Sequence, residues 1–301
     1  MIHAPDWTLA GGRALRPAPF LVAGILNLTP DSFSDGGSWT DVNAAVAHAR
    51  ELWQDGAHMI DVGAESTRPG SDFIDGDEEL ARLRPVLEKI LAGRANWHAD
   101  ARPLPEGREP LPYPLLSVDT WRAGTAHAVL DMGVEIINDI SGGSFDPAMD
   151  EVVASHAPGY VLMHCPEQPR TMQKAPHYEN VTDAVMDFFE SRMRSLVRAG
   201  LPESRIALDP GIGFGKTPDH NLELMRSVPR LRTLGRPLYY GISRKGFFGK
   251  LLNIPLAERD GPTQVLTALL AAKGVFIHRV HDAKGCARAL DLVTALAAPL
   301  E

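Results

Sequence analysis

From Phe20 onward the chain repeats one unit: a short apolar run, a polar loop, then an amphipathic stretch with helical spacing. A run that is apolar on both faces reads as a strand buried on both sides, which is the signature of parallel sheets covered by helices. The strands are read at Leu21–Asn27, His58–Val62, Leu115–Val118, Glu135–Ile137, Tyr160–Met163, Ile206–Leu208, Leu238–Ile242 and Val275–Arg279. The helices that follow them are read near Asp41–Gln54, Gly76–Leu91, Trp121–Met132, Asp146–Ser155, Asn180–Ala199, Pro218–Thr233, Phe247–Lys273 and Ala283–Ala297. Eight strand–helix units in 301 residues predict a single closed (β/α)8 TIM barrel. An open doubly wound sheet usually carries a Gly-rich phosphate turn after its first strand. Here Asn27-Leu28-Thr29-Pro30-Asp31 stands in that place, which favours the barrel. Residues 1–19 read as an N-terminal extension with a short hairpin turning at Gly11-Gly12, and residues 20–301 as the barrel domain. Residues 93–114, with Pro103, Pro105, Pro110, Pro112 and Pro114, read as a surface insertion on the bottom face without catalytic meaning.

In a barrel of this kind the active site lies at the carboxyl ends of the strands. Those ends carry Asn27, Asp61, Asp119, Asn138 with Asp139, His164, Asp209, Ser243-Arg244-Lys245, and Arg279 with His281 and Asp282. Two long loops join them. Thr29–Gly37 has Phe33 at its middle and Gly36-Gly37 as a candidate hinge, and Ala64–Gly70 contains Thr67, Arg68 and Pro69. Asp119, Asn138 and Asp209 are acceptors or amides with one cation nearby, Lys245. Carboxylates taken out of water need donors, which a flat heterocycle with ring N–H and amino groups supplies. Arg68, Lys245, Arg279 and His281 form a second, cationic set beside Asn27 and Thr67, suited to a phosphate or diphosphate and a Mg2+.

Several of these residues also have plainer readings. Asp119 and Asp282 could each cap the helix that follows. Gly211, Gly213 and Gly215 resemble a phosphate loop, a weak signal alone. His164 beside Cys165 reads as core or pocket wall, because adjacent side chains on a strand point apart. Phe247-Phe248 reads as core or pocket lining.

The balance of charge narrows the partners. A formal net charge of −8 and a pI near 5.8 argue against nucleic acid. No apolar run approaches the roughly 20 residues that span a bilayer, so no membrane association is expected. The two cysteines, Cys165 and Cys286, have no metal-type spacing and suit a reducing cytoplasm. Met1–Ala10 lacks a basic-then-apolar leader pattern.

Across Phe20 to Asp291 the sequence resembles the dihydropteroate synthases of folate biosynthesis, a pterin-binding family. The resemblance rests on Gly24–Gly37, Ile60–Gly70, Ser117–Thr120, Ile137–Gly143, Leu162–His164, Leu208–Lys216, Ser243–Lys245 and Arg279–Asp282, in that order. It implies a TIM barrel, usually dimeric, that joins 4-aminobenzoate to (7,8-dihydropterin-6-yl)methyl diphosphate, releasing pyrophosphate, and that is a target of sulfonamides. It implies that Asp119, Asn138, Asp209 and Lys245 hold the pterin, with Asp61 and Met163 in the substrate-binding set, and that Asn27 ligates Mg2+. Arg279 and His281 would hold the pyrophosphate. Thr67, Arg68, Pro69, Phe214 and Ser243 would shape the aminobenzoate pocket. Asp119, Asp209, Lys245 and Arg68 would carry the catalysis, by an SN1-like, Mg2+-assisted substitution under closed loops. Three features depart from the family: Gly246 where Ser or Arg is usual, Pro262 near the start of a helix often used for dimerisation, and the 93–114 stretch. The rivals are a pterin-dependent methyltransferase, which needs no pyrophosphate-binding set, and a non-catalytic pterin-binding paralogue, which needs a lost active-site group.

Overall fold

The structure is a computed structural model that describes residues 5–29, 42–65, 74–102, 111–167, 172 and 176–297. The barrel strands are β1 Leu21–Asn27, β2 Met59–Gly63, β3 Leu115–Asp119, β4 Ile136–Asp139, β5 Gly159–Met163, β6 Ile206–Asp209, β7 Tyr239–Tyr240 and β8 Ile277–Val280. Each pairs in parallel with its sequence neighbour from β1 to β6, and β8 lies between β7 and β1. The ring closes between β6 and β7 through a single bridge, Leu208 to Leu238, supported by Leu208 N donating to Pro237 O at 2.8 Å. The helices are α1 Val42–Gln54, α2 Gly76–Gly93, α3 Ala123–Asp131, α4 Met149–His156, α5 Val181–Ala199, α6 Pro218–Arg226, α7 Val228–Leu231, α8 Gly246–Leu252, α9 Asp260–Ala272 and α10 Ala283–Ala297. No helix among the described residues is long and apolar enough to cross a membrane.

Side chains alternate along each strand, so two apolar layers form. Val22, Leu26, Ile60, Val62, Leu116 and Val118 face outward into a core shared with the helices. Leu21, Ala23, Met59, Leu115, Ile136, Val161, Ala207, Tyr239 and Ile277 fill the bottom of the barrel. Two residues further along the same inward rows stand Asp61, Ser117, Asn138, Met163, Asp209, Gly241 and Arg279. Period-2 geometry alone therefore lifts a polar ring above an apolar floor.

The N-terminal segment belongs to that floor. Trp7–Thr8 pairs antiparallel with Ala14–Leu15, with the turn at Gly11-Gly12. Trp7, Leu9 and Leu15 are buried against the barrel interior. Trp7 Nε1 donates to Arg205 O at 2.7 Å. The hairpin thus closes the bottom of the barrel, where inward-facing apolar side chains would otherwise meet water.

Four elements differ from the sequence reading. The stretch at 238–242 is a strand only over Tyr239–Tyr240, with Leu238 in an isolated bridge, and β8 begins at Ile277 rather than Val275. The helical stretch after Phe247 is broken at Asn253, which is left-handed at φ 54°, and by Pro255. The start of the 93–114 segment is no loose surface insertion: Arg94–Asp100 forms a 3-10 helix with Trp97 buried. Trp53 Nε1 donates to Trp97 O at 2.8 Å, and Arg94 makes a two-pronged pair with Glu135 at 2.7 and 2.9 Å. An aromatic and a paired guanidinium tie this segment down, where proline content alone suggested a loop. Residues 103–110 lie outside the described part.

Candidate functional site

The barrel mouth holds a pocket lined by Asp119, Asn138, Ile140, Met163, Asp209, Ile212, Phe214, Gly241, Lys245 and Arg279. The sequence-derived residues Asp119, Asn138, Met163, Asp209, Phe214, Lys245 and Arg279 therefore converge. Asp61 lies beneath them and is fully buried. It accepts from Ser117 Oγ at 2.5 Å, Asn138 Nδ2 at 3.1 Å and Arg279 Nε at 2.5 Å. These bonds make Asp61 an anchor that fixes the orientation of two pocket side chains.

Arg279 also donates through Nη2 to Asp119 Oδ2 at 2.9 Å. This corrects the sorting of the strand ends into separate acceptor and cation sets: Arg279 stands among the carboxylates, paired with two of them. The reason is register. Arg279 is on an inward position of β8, two strands from Asp61, and a long guanidinium spans the mouth. Burial opposes its charge, but Asp61 and Asp119 outweigh that and hold its pKa well above the ordinary value.

Asp119 and Asp209 are desolvated carboxyls. Burial pushes Asp119 up to about 7, against the pull of Arg279. Burial likewise raises Asp209 to about 6, offset by Gly211 N–H, which donates to Asp209 Oδ1 at 2.8 Å, and by Lys245. Burial and Arg279 lower Lys245 to about 8, with Asp209 and Asp119 opposing. Its Nζ lies 4.0 Å from the Phe214 ring centroid, within cation–π range. Asn138 spends its amide N–H on Asp61, which leaves its buried Oδ1 without a hydrogen-bond partner.

The Gly211–Lys216 loop is shaped by left-handed backbone. Gly211 has φ 69°, and any Cβ there would run into His164 O. Its N–H serves Asp209, and Gly213 N–H serves Asn221 Oδ1 at 2.8 Å. Those two amides are committed to the protein, so the likeness to a phosphate loop is one of composition. Lys216, which the sequence reading did not single out, is buried behind this loop. Its Nζ lies 3.0 Å from His164 Nδ1 and donates to Phe214 O at 2.9 Å. Burial lowers Lys216 to about 7, and burial with Lys216 lowers His164 to about 2. A Lys closing a Gly-rich run at a strand's carboxyl end was the signal available. His164 is pocket backing, as its position beside Cys165 suggested.

At the rim, Ser243 Oγ accepts from His281 N at 3.1 Å and lies 2.9 Å from His281 Nδ1. Burial lowers His281 to about 3, and the neighbouring Arg244, Arg279 and Lys245 push the same way. The ring is therefore neutral, which corrects its inclusion among the cations. Asn27 is half-buried at the end of β1. Its Oδ1 and Asp119 Oδ2 both lie within 4 Å of the point where a Cβ on Gly63 would stand. The open capping questions also resolve. Asp282 Oδ1 accepts from Gly285 N at 2.9 Å at the start of α10. Asp119 does not cap α3: Thr120 Oγ1 accepts from Arg122 N at 3.2 Å, and the first helical N–H, of Ala123, donates to Asp146 Oδ2 at 2.8 Å. Phe247 and Phe248 are buried in the core. Thr67, Arg68 and Pro69, and the loop from Pro30 to Gly37, lie outside the described residues.

A family profile described as pterin binding enzyme matches residues 23–101 and 103–281. The chain is 40% identical over 265 residues to the dihydropteroate synthase of Streptococcus pyogenes serotype M6, covering 87% of this chain and 90% of that protein. The chain belongs to the dihydropteroate synthase family of pterin-binding enzymes. Its fold is close to that of the dihydropteroate synthase of Xanthomonas albilineans solved with 4-aminobenzoic acid, with TM-score 0.85, 36% identity and coverage of 98% and 100% of the two chains. The dihydropteroate synthase of Anaplasma phagocytophilum, solved with bound 6-hydroxymethylpterin-monophosphate, superposes with TM-score 0.80 at 33% identity, covering 93% and 100%. A transferase of the dihydropteroate synthase type accounts for a TIM barrel whose mouth gathers two carboxyls, an amide and two cations.

Proposed function

We propose that this enzyme condenses (7,8-dihydropterin-6-yl)methyl diphosphate with 4-aminobenzoate to give 7,8-dihydropteroate and pyrophosphate. The observation that carries this is the unpartnered Asn138 Oδ1 on the pocket wall between Asp119 and Asp209. A buried acceptor without a donor costs about 1–3 kcal/mol. A pterin brings ring N–H and amino donors to this acceptor and to both carboxyls, while Lys245 donates to a ring acceptor. The ligands of the Xanthomonas and Anaplasma enzymes are of the matching kinds, an arylamine carboxylate and a pterin phosphate.

The chemistry is a substitution at the pterin methylene. The C–O bond to the diphosphate breaks and its electron pair leaves with pyrophosphate. The arylamine nitrogen then forms the new C–N bond and loses a proton to solvent. Arylamines are weak nucleophiles, so an SN1-like order, with departure ahead of attack, suits the pocket. Ionised Asp119 and Asp209 stabilise the delocalised pterin cation electrostatically. His281 holds a neutral ring; when the Ser243 hydroxyl donates to Nδ1, the ring proton is on Nε2 and available to a diphosphate oxygen. Phe214 and Ser243 border the arylamine side, to which the family resemblance alone also assigns Thr67, Arg68 and Pro69.

Mg2+ fits this site. Asn27 offers a hard amide oxygen beside Asp119, and Mg2+ is commonly held by one or two protein oxygens together with substrate phosphates. Asn27 would hold it, and when bound it would neutralise charge on the diphosphate. Sulfonamides, as arylamine mimics, would compete at the Phe214–Ser243 side. Gly246 is exposed with nothing within 4 Å of where a Cβ would stand, so the absent hydroxyl leaves open space rather than a blocked pocket.

The enzyme would work as a cytoplasmic homodimer. Val265 and Leu269 on α9 and Leu292 and Leu296 on α10 are spaced one turn apart on neighbouring helices and are 57–86% exposed, an apolar face suited to a second copy. Cys165 and Cys286 are buried free thiols, in keeping with a reducing compartment. Lys245→Ala and Asp209→Asn test the assignment of the pocket. Turnover should fall by at least about a hundredfold for each, and wild-type rates in both would overturn it.

A further inference from the structure

α3 and α4 both run away from the pocket and end on the opposite face of the barrel, at Asp131 and His156. Their C-terminal halves bring together His127, Asp131 and His156, whose ligand atoms all lie within 4.8 Å of one another. His127 and Asp131 are four residues apart on α3, so one helical turn stacks them on one face. His127 Nε2 is 3.6 Å from Asp131 Oδ2, and His156 Nε2 is 3.0 Å from Asp131 Oδ1. The two imidazole rings lie 4.9 Å apart between centroids, inclined at 75°.

One ring is also held through its other nitrogen. His156 Nδ1 is 3.1 Å from Val152 O. A carbonyl only accepts, and Ser155 Oγ, 3.1 Å from Nδ1, spends its own proton on the same carbonyl at 3.0 Å, so Nδ1 donates. Asp131 Oδ1, 3.0 Å from Nε2, likewise only accepts, so Nε2 donates to it in the metal-free protein and a bound cation would take that proton's place. Metal-binding histidines are commonly fixed this way, with the second nitrogen donating to a backbone carbonyl. The carbonyl ends of two helices also converge here, which favours a cation.

We propose that His127, Asp131 and His156 form a surface site for a late first-row divalent cation, with Zn2+ the fitting ion. Two imidazoles and a carboxylate are a borderline-soft donor set, matched to Zn2+ rather than to Mg2+. A tetrahedral ion would draw the donors to roughly 2.0–2.1 Å from itself, within reach of rotamer adjustment in side chains that are 57%, 62% and 20% exposed. Water would take the remaining position. The bound ion would clasp the ends of α3 and α4 and raise stability without touching the pocket. This proposal is independent of the reaction at the barrel mouth.

The test is Zn2+ titration of the chelator-stripped, tag-free full chain by calorimetry, in excess Mg2+ so that hard-oxygen sites are filled, with thermal unfolding alongside. The wild type should bind one equivalent and unfold at a higher temperature with Zn2+. His127→Ala and His156→Gln should each lose at least about tenfold in affinity and lose the thermal shift. Their turnover with substrates and Mg2+ should stay at the wild-type level. Failure of the wild type to bind Zn2+, or equal binding by both variants, would overturn the site and leave an ion pair only.

Discussion

The Arg279 Nε and the Asp61 Oδ2, 218 residues apart in sequence, meet at 2.5 Å inside the barrel mouth. Asp61 is fully buried, and this pair, with the Ser117 and Asn138 donors, offsets the cost of burying its charge. Removing one member of a buried pair leaves an uncompensated charge and costs about 3–5 kcal/mol. Arg279→Met should lose about that much in urea unfolding, and adding Asp61→Asn should recover part of it. A loss below about 1 kcal/mol in the single variant would contradict the pairing.

The raised carboxyls of the pocket make a prediction about pH. Asp119 is pushed from an ordinary value of 3.8 up to about 7, and Asp209 from 3.8 up to about 6. Between the unfolded and folded values, the folded protein binds more protons than the unfolded chain, so stability falls as pH rises. The contribution is complete below pH 3.8 and is lost by about pH 7. Substrate-free wild type should therefore lose stability from pH 4 to 7 more steeply than Asp119→Asn, measured by denaturant unfolding at each pH. Parallel curves for the two proteins would count against desolvation as the cause.

Gly211 is the backbone position that sets the pocket wall. Its φ of 69° excludes easy substitution, and an added Cβ meets the His164 carbonyl, which cannot retreat as a side-chain tip could. Gly211→Ala should move the loop that carries Asp209's N–H partner and Phe214. The expected result is a loss of more than about 2 kcal/mol together with a pterin affinity reduced at least about tenfold. Wild-type affinity by calorimetry would show that the loop accommodates a side chain.

Trp7 tests the bottom of the barrel. It is fully buried and bonded to Arg205 O. Trp7→Ala should destabilise by about 3–5 kcal/mol, as large-to-small changes in cores do. The KM for the pterin diphosphate should stay unchanged, because the pocket is at the other end. A loss under about 1 kcal/mol would mean that the hairpin is dispensable to the core.

Much of this architecture was legible in the residues. Uninterrupted apolar runs such as Leu21–Leu26 mark strands covered on both sides, and the polar residue ending each run marks the mouth. Local pattern could not show what depends on closure of the ring. Arg279 reads as a phosphate ligand from its neighbours in sequence, but β8 faces Asp61 and Asp119 across the barrel, and those carboxylates take two of its N–H groups. His281 reads as a cation until burial and three basic neighbours are counted. Residues 1–19 and the start of 93–114 read as peripheral, because a Trp in a short polar segment gives no periodicity. Trp7 and Trp97 show their weight only once packed. Lys216 was hidden in a Gly-rich run whose composition suggested phosphate.

The most direct measurement is incubation of the purified protein with (7,8-dihydropterin-6-yl)methyl diphosphate, 4-aminobenzoate and Mg2+, following both products. Equimolar 7,8-dihydropteroate and pyrophosphate, lost on chelating the metal and lost in Lys245→Ala, is the predicted result. Pterin binding without either product would contradict the account.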